Sequence, residues 1–185
     1  CSHGWRWIKH FELSEAEANP ATIASADLFA AVYGQRRSEA AYHAARSAGV
    51  PRGLLGLTLF GPLMVVAAAR WGIEDEALEE RVASTVERTG HARGRALLGQ
   101  AKALQATSRG EHAKAEKLLL DAMQAFATLK LDHERAVAMA DHARALAALG
   151  RASDASAEVD EVRAIAERIG ANALQSSLEA KAVSA

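Results

Sequence analysis

A chain of 185 residues, 50% hydrophobic but only 5% aromatic, has room for one continuous core rather than two independent ones. Its abundant alanine favours closely packed helices over a sheet built on valine, isoleucine and tyrosine. The 22 basic and 23 acidic residues nearly cancel, and on either side of Gly90 the halves hold 9 against 11 and 13 against 12, so neither carries the one-signed excess of a nucleic-acid or membrane-surface binder.

The opening Cys1-Ser2-His3-Gly4-Trp5 lacks a methionine, a basic start and the apolar stretch of a signal peptide. The chain is therefore expected to be a piece of a longer protein. Cys1 is the single cysteine, which rules out an internal disulfide and fits a reducing compartment, with the cytoplasm as the expected location. Residues 1–19, holding Trp5, Trp7 and Phe11, read as an aromatic segment that could be the tail of a preceding domain, and residues 20–185 as a helical domain. Ser14 and Glu17 have capping-box spacing for a helix of a turn or two.

The pattern then predicts helices at Pro20–Tyr33, Arg37–Ser47, Arg52–Trp71 and Asp75–Thr89, punctuated by Gly34, Gly49, Gly72 and Gly90. Within the third, the 17 residues from Gly53 to Ala69 are uncharged. That is short of the roughly 20 needed for a membrane span. The segment is expected instead to be the most buried helix, its second face covered by the N-terminal aromatics or a partner chain. Pro62 should kink or interrupt it. The acidic run Glu74, Asp75, Glu76, Glu79 and Glu80 suits the positive end of the following helix dipole.

From Ala92 the periodicity is regular, predicting helices at Ala92–Ser108, Glu111–Leu129, His133–Leu149, Ser153–Ile169 and Asn172–Ala182. Gly110 and Gly150 supply tight turns, with Asp132 and Ser153 as expected N-caps.

Setting Gly110 over Gly150 aligns Ala103 with Ala143, Ala115 with Ala155, Leu119 with Val159, Ala122 with Val162 and Leu129 with Ile169, an offset of 40 residues. A step of 38 residues back from Gly110 reaches Gly72, and another reaches Gly34. A small residue late in one helix, a glycine turn, then alanine, a large apolar residue and alanine in the next resembles the tetratricopeptide repeat. The spacing is similar to the longer repeats of large bacterial signalling ATPases, transcription activators and kinases. The resemblance implies an all-α, right-handed superhelical stack of about four antiparallel helix pairs plus a C-terminal capping helix. Small residues would let paired helices touch while the large one fills the gap to the next pair.

The sequence holds no G-x-x-x-x-G-K-[ST], H-E-x-x-H, C-x-x-C or G-x-S-x-G, so catalysis is not indicated and neither a cofactor nor a catalytic residue is assigned. His133 and His142, nine residues apart, fall on opposite faces of one helix, and Asp141 points away from His142. Cys1, His3 and His10 are soft ligands near the start, but no metal site is assigned. Eight aromatics lie by Trp71 and only Phe126 beyond it, filling an irregular N-terminal core or facing a ligand.

In tetratricopeptide-like stacks the first helix of each pair lines a concave surface. That implies a largely apolar groove of Leu59, Pro62, Val66, Leu97, Gln100, Leu104, Ala140 and Arg144. The expected function is a noncatalytic protein-interaction or regulatory module of a bacterial signalling or transcription-regulatory protein, binding a peptide, a helix, another domain of the same protein or a second subunit. Neither nucleic acid nor membrane is an expected partner. The alternative is a small-molecule sensor with an enclosed aromatic-lined pocket, and an enzyme assembled from separate helices comes third.

Overall fold

A computed structural model describes residues 20–33, 38–50 and 53–182. The elements are α1 (Pro20–Tyr33), α2 (Glu39–Ser47), α3 (Gly53–Leu59), α4 (Gly61–Trp71), α5 (Glu76–Thr89), α6 (Ala92–Ser108), α7 (His112–Thr128), α8 (Asp132–Ala148), α9 (Ala152–Ile169) and α10 (Asn172–Ala182). No strand occurs among the described residues. The capping box at Ser14, and the aromatics Trp5, Trp7 and Phe11, lie outside them.

One terminator recurs along the chain. The amides of Ile73, His91, Glu111, Leu131, Arg151 and Ala171 each reach back to the carbonyl five residues earlier, from Ile73 to Ala68 through Ala171 to Ala166. This is the Schellman closure, which needs a left-handed residue just before the donor. Gly90, Gly110, Lys130, Gly150 and Gly170 fill that position with φ between 57° and 78°. Their 20-residue spacing is half the 40-residue offset read from the sequence, so each helix and its turn form one unit. Lys130 is the sole side chain among the described residues held at positive φ. Lys130→Gly should relieve that strain and raise stability by about 0.5–1 kcal/mol, net of the extra freedom glycine gives the unfolded chain. A higher urea midpoint with an unchanged m-value would verify it.

The same turns correct two expected caps. Arg151 donates its amide to Leu146 and precedes α9 directly, so the start is fixed by the preceding turn rather than by Ser153. Likewise Leu131 occupies the cap position of α8, and Asp132 is its first helical residue. The segment from Arg52 to Trp71 is not one helix, because it breaks at Phe60 into α3 and α4, bent by 49°. Pro62 sits in the first turn of α4, where its missing N–H leaves no hydrogen bond unmade.

Consecutive helices pack against one another, most extensively in α6 with α7, α7 with α8 and α8 with α9, while α4 lies along α6. Small side chains make this possible: Ala103, Ala115, Ala122, Ala143 and Ala155 are all buried, as are the larger Leu119 and Val162. Every residue of α4 from Gly61 to Ala68 is buried, together with Trp71. By contrast, no residue of α3 is buried. The second face of α4 is met by α1 and α2, and Phe29 of α1 meets Phe60 edge to face at 5.8 Å. Helix α1 also touches α8 and the C-terminal α10, so the two ends of the described chain meet. No single helix among the described residues is long and apolar enough to cross a membrane, although α3 and α4 together pass by length and composition.

A polar clasp ties α2 to α5. The Asp75 carboxylate caps α5 by accepting from the Leu78 amide at 3.1 Å, and accepts Arg46 Nε at 2.6 Å and the Tyr42 hydroxyl at 2.8 Å. The Arg46 hydrogen bond, aided by Tyr42 and the Leu78 amide against the opposing effect of burial, pulls its pKa from 3.8 to about 2. A depressed carboxylate pKa gives stability that is full above the unfolded value and disappears as pH falls through the folded one. Stability should thus decline by about 1 kcal/mol, the screened worth of such a site, between pH 4 and pH 2. Asp75→Asn should remove that part of the decline in urea melts across the range.

Candidate functional site

Helices α6 and α8 meet along a face that is polar at two levels. Arg93 and Gln100 lie seven residues apart on α6, and Glu134 and Asp141 lie seven apart on α8. Seven residues are nearly two helical turns, so each pair points the same way, roughly 10 Å apart along the axis. Two further residues complete the levels: Tyr33 from the end of α1 and Arg70 from the end of α4.

At the inner level Asp141 is saturated. Its Oδ1 accepts Arg70 Nη1 at 2.8 Å and Arg144 Nη1, and its Oδ2 accepts Arg70 Nη2 at 2.6 Å and Gln100 Nε2 at 2.8 Å. The Asp141 side chain is 1% exposed and that of Arg70 8%. Burial on its own would raise the carboxyl pKa, but the charges of Arg70 and Arg144 and the hydrogen bonds from Arg70 and Gln100 outweigh it and hold Asp141 below the usual range. With both oxygens engaged twice, this carboxylate is a lock between α4, α6 and α8 rather than a general base. Arg70 Nε is buried without a partner.

At the outer level the Tyr33 hydroxyl donates to Glu134 Oε1 at 3.0 Å and accepts Arg93 Nη2 at 2.9 Å, while Arg93 Nε donates to the same Glu134 oxygen at 2.9 Å. Burial, reinforced by the Glu134 charge, raises the phenol pKa, so Tyr33 stays protonated. Arg93 Nη1 extends to the Leu59 carbonyl of α3 at 3.4 Å. The ring of His133 lies 4.5 Å from that of Tyr33. Its Nε2 is buried without a partner, and burial lowers its pKa.

The neighbouring histidine faces elsewhere: His142 Nδ1 meets Glu158 Oε2 of α9 at 2.5 Å. Asp141 and His142 therefore serve different interfaces, as adjacent helical positions should. No group of three or more His, Cys, Asp or Glu residues able to hold a metal occurs among the described residues.

The eight groove positions divide sharply. Pro62, Val66, Leu97, Gln100 and Ala140 are buried inside the chain, Leu104 is half-buried, and only Leu59 and Arg144 are exposed. Gln100 and Arg144 do come together, on Asp141; the rest are not one surface open to a partner. Periodicity missed Tyr33, Arg70, Arg93, Glu134 and Asp141, although polar residues at heptad spacing on both α6 (Arg93, Gln100) and α8 (Glu134, Asp141) were a signal available in the sequence.

The two most exposed large apolar side chains among the described residues lie on α3, Leu55 at 72% and Leu54 at 57%, with Leu59 of the same helix at 39%; Ile23 and Leu120, each at 47%, lie on other helices. The α3 sequence GLLGLTL carries no charge. A cavity lined by Tyr42, Val65, Ala68, Ile73, Asp75, Glu79 and Gln105 has about 20 Å³, room for one water molecule. No protein-family model, no curated protein and no solved structure matches the chain.

Proposed function

We propose that this chain is a noncatalytic protein-interaction module built as a tetratricopeptide-like helical stack, within a regulatory or signalling protein. The observation that carries the reading is α3, an uncharged helix that leaves Leu54, Leu55 and Leu59 in solvent beside the densely packed α4. Clustered exposed leucines mark a surface that gains by meeting another apolar face. The repeat reading is supported by the 20-residue recurrence of left-handed helix ends and by the buried alanines at equivalent positions of successive units. A sensor pocket would call for a few hundred Å³, and the cavity beside Tyr42 has about 20 Å³.

The test is a quantitative capture experiment with the full chain as bait, comparing it with a Leu54→Ser/Leu55→Ser variant. Both leucines are exposed, so the variant should melt like the parent while its specifically bound protein falls at least tenfold. Equal recovery by the two baits would remove α3 from the proposed interface.

A further inference from the structure

Helix α1 does not lie beside its sequence neighbour alone. It crosses to α4, α8 and α10, and its last residue, Tyr33, is bound by residues 60 and 101 positions away. Two kinds of contact hold it. Leu28, Ala31 and Val32 are buried in the core cluster that contains α4, and the Tyr33 phenol closes the outer polar level.

The polar part has an unusual property. Arg93 and Glu134 bind each other directly at 2.9 Å, through a contact that does not run through the Tyr33 hydroxyl, so withdrawing α1 would leave each charge with its partner. Two buried clusters of the C-terminal helices, Ala103 with Leu119 and Ala145, and Ala143 with Leu146 and Ala155, hold no α1 residue, while a third, containing Met139 and Val162, has only Tyr33 of α1 packed against it. Withdrawal would uncover an apolar face on α4, bounded by a phenol-binding Arg–Glu pair. A helix with an apolar face ending in a tyrosine matches that surface in the manner of helix-in-groove recognition.

Arg93 joins this face to the exposed leucines. Its Nη1 binds the Leu59 carbonyl at the end of α3 while its Nη2 binds Tyr33. A partner that settles on Leu54, Leu55 and Leu59 therefore arrives at the residue that anchors α1.

We propose that α1 is a resident ligand of its own chain: it occupies the face of α4, α6 and α8 that receives a partner helix of the same chemistry, and the partner displaces it. This rests on the interaction-module reading and specifies how that site is regulated. Occupancy in cis would keep the apolar face out of solvent until a partner with a competing aromatic hydroxyl arrives.

The experiment uses a fluorescent peptide of residues 20–33 titrated by anisotropy into the full chain and into a full-length Phe29→Ala/Tyr33→Ala variant, in which the cis helix is weakened. The variant should bind the peptide at least tenfold more tightly than the parent, and a peptide carrying Tyr33→Phe should lose most of that gain. Equal binding to both chains, or to neither, would overturn the proposal. Should the double variant lose its helical circular dichroism, hydrogen exchange on the unaltered chain decides: α1 amides exchanging at least a hundredfold faster than those of α8 support a displaceable helix, and exchange of both as one unit overturns it. Partner capture that depends on Leu54 and Leu55 while the peptide fails would leave the interaction reading standing and sink this one.

Discussion

Asp141→Ala should lower folding stability by about 3–5 kcal/mol, the usual consequence of stripping one member from a buried ion pair. The carboxylate compensates Arg70, whose side chain is 8% exposed, and also accepts from Gln100. Without it a guanidinium remains in the interior between α4, α6 and α8 with no anion. The pair as a whole is a different matter, because two desolvated charges add little net stability over a well-packed apolar pair. Arg70→Met/Asp141→Leu should accordingly recover most of the loss, leaving the double variant more stable than Asp141→Ala alone. Urea unfolding of parent, single and double variants gives the comparison directly. Additive losses would mean that the two residues do not depend on each other.

Val66→Asp should be at least as damaging, costing several kcal/mol or preventing folding outright. Val66 is 1% exposed in a helix that is buried continuously from Gly61 to Ala68. Its neighbours in the core cluster are apolar, and a carboxylate there would have to stay neutral or leave the helix badly packed. The expected readout is loss of the cooperative melting transition or a large fall in its midpoint. An unchanged melt would mean that α4 is not the central helix of this core. The adjoining α3 should behave in the opposite way, since Leu55 at 72% exposure can take a polar side chain without entering the interior.

How far the sequence discloses this architecture depends on the range of the interaction involved. Local signals served well: α1, α6 and α10 fall on the residues that apolar periodicity predicts, and the glycine punctuation at Gly72, Gly90, Gly110 and Gly150 corresponds to left-handed helix ends. Lys130 was illegible because a lysine does not advertise positive φ. Pro62 announced a break, but whether one helix bends or two begin depends on the backbone at Phe60, which stays hydrogen-bonded to Gly56 and Met64 while the axis turns by 49°. The candidate groove drew on apolar positions of first helices, and Pro62, Val66, Leu97 and Ala140 proved to face their own neighbours rather than solvent, whereas Leu59 is exposed. Reading apolar residues alone also passes over Glu134 and Asp141, which sit in a helix buried on most sides and acquire their meaning only from Arg93, Gln100 and Arg70. The docking of α1 is least legible of all. Tyr33 and Glu134 are 101 residues apart, and no local propensity encodes such a pairing.

The central claim is that the exposed α3 leucines receive another polypeptide, and site-specific photo-cross-linking tests it at the surface itself. A benzophenone side chain placed at Leu55 in the full chain, and a control placed at the exposed Asp121 of α7, would be irradiated in the cells that produce the protein. The account predicts a discrete higher-mass adduct containing a second polypeptide at Leu55 and none at Asp121. No adduct at Leu55, or the same adduct from both positions, would contradict it.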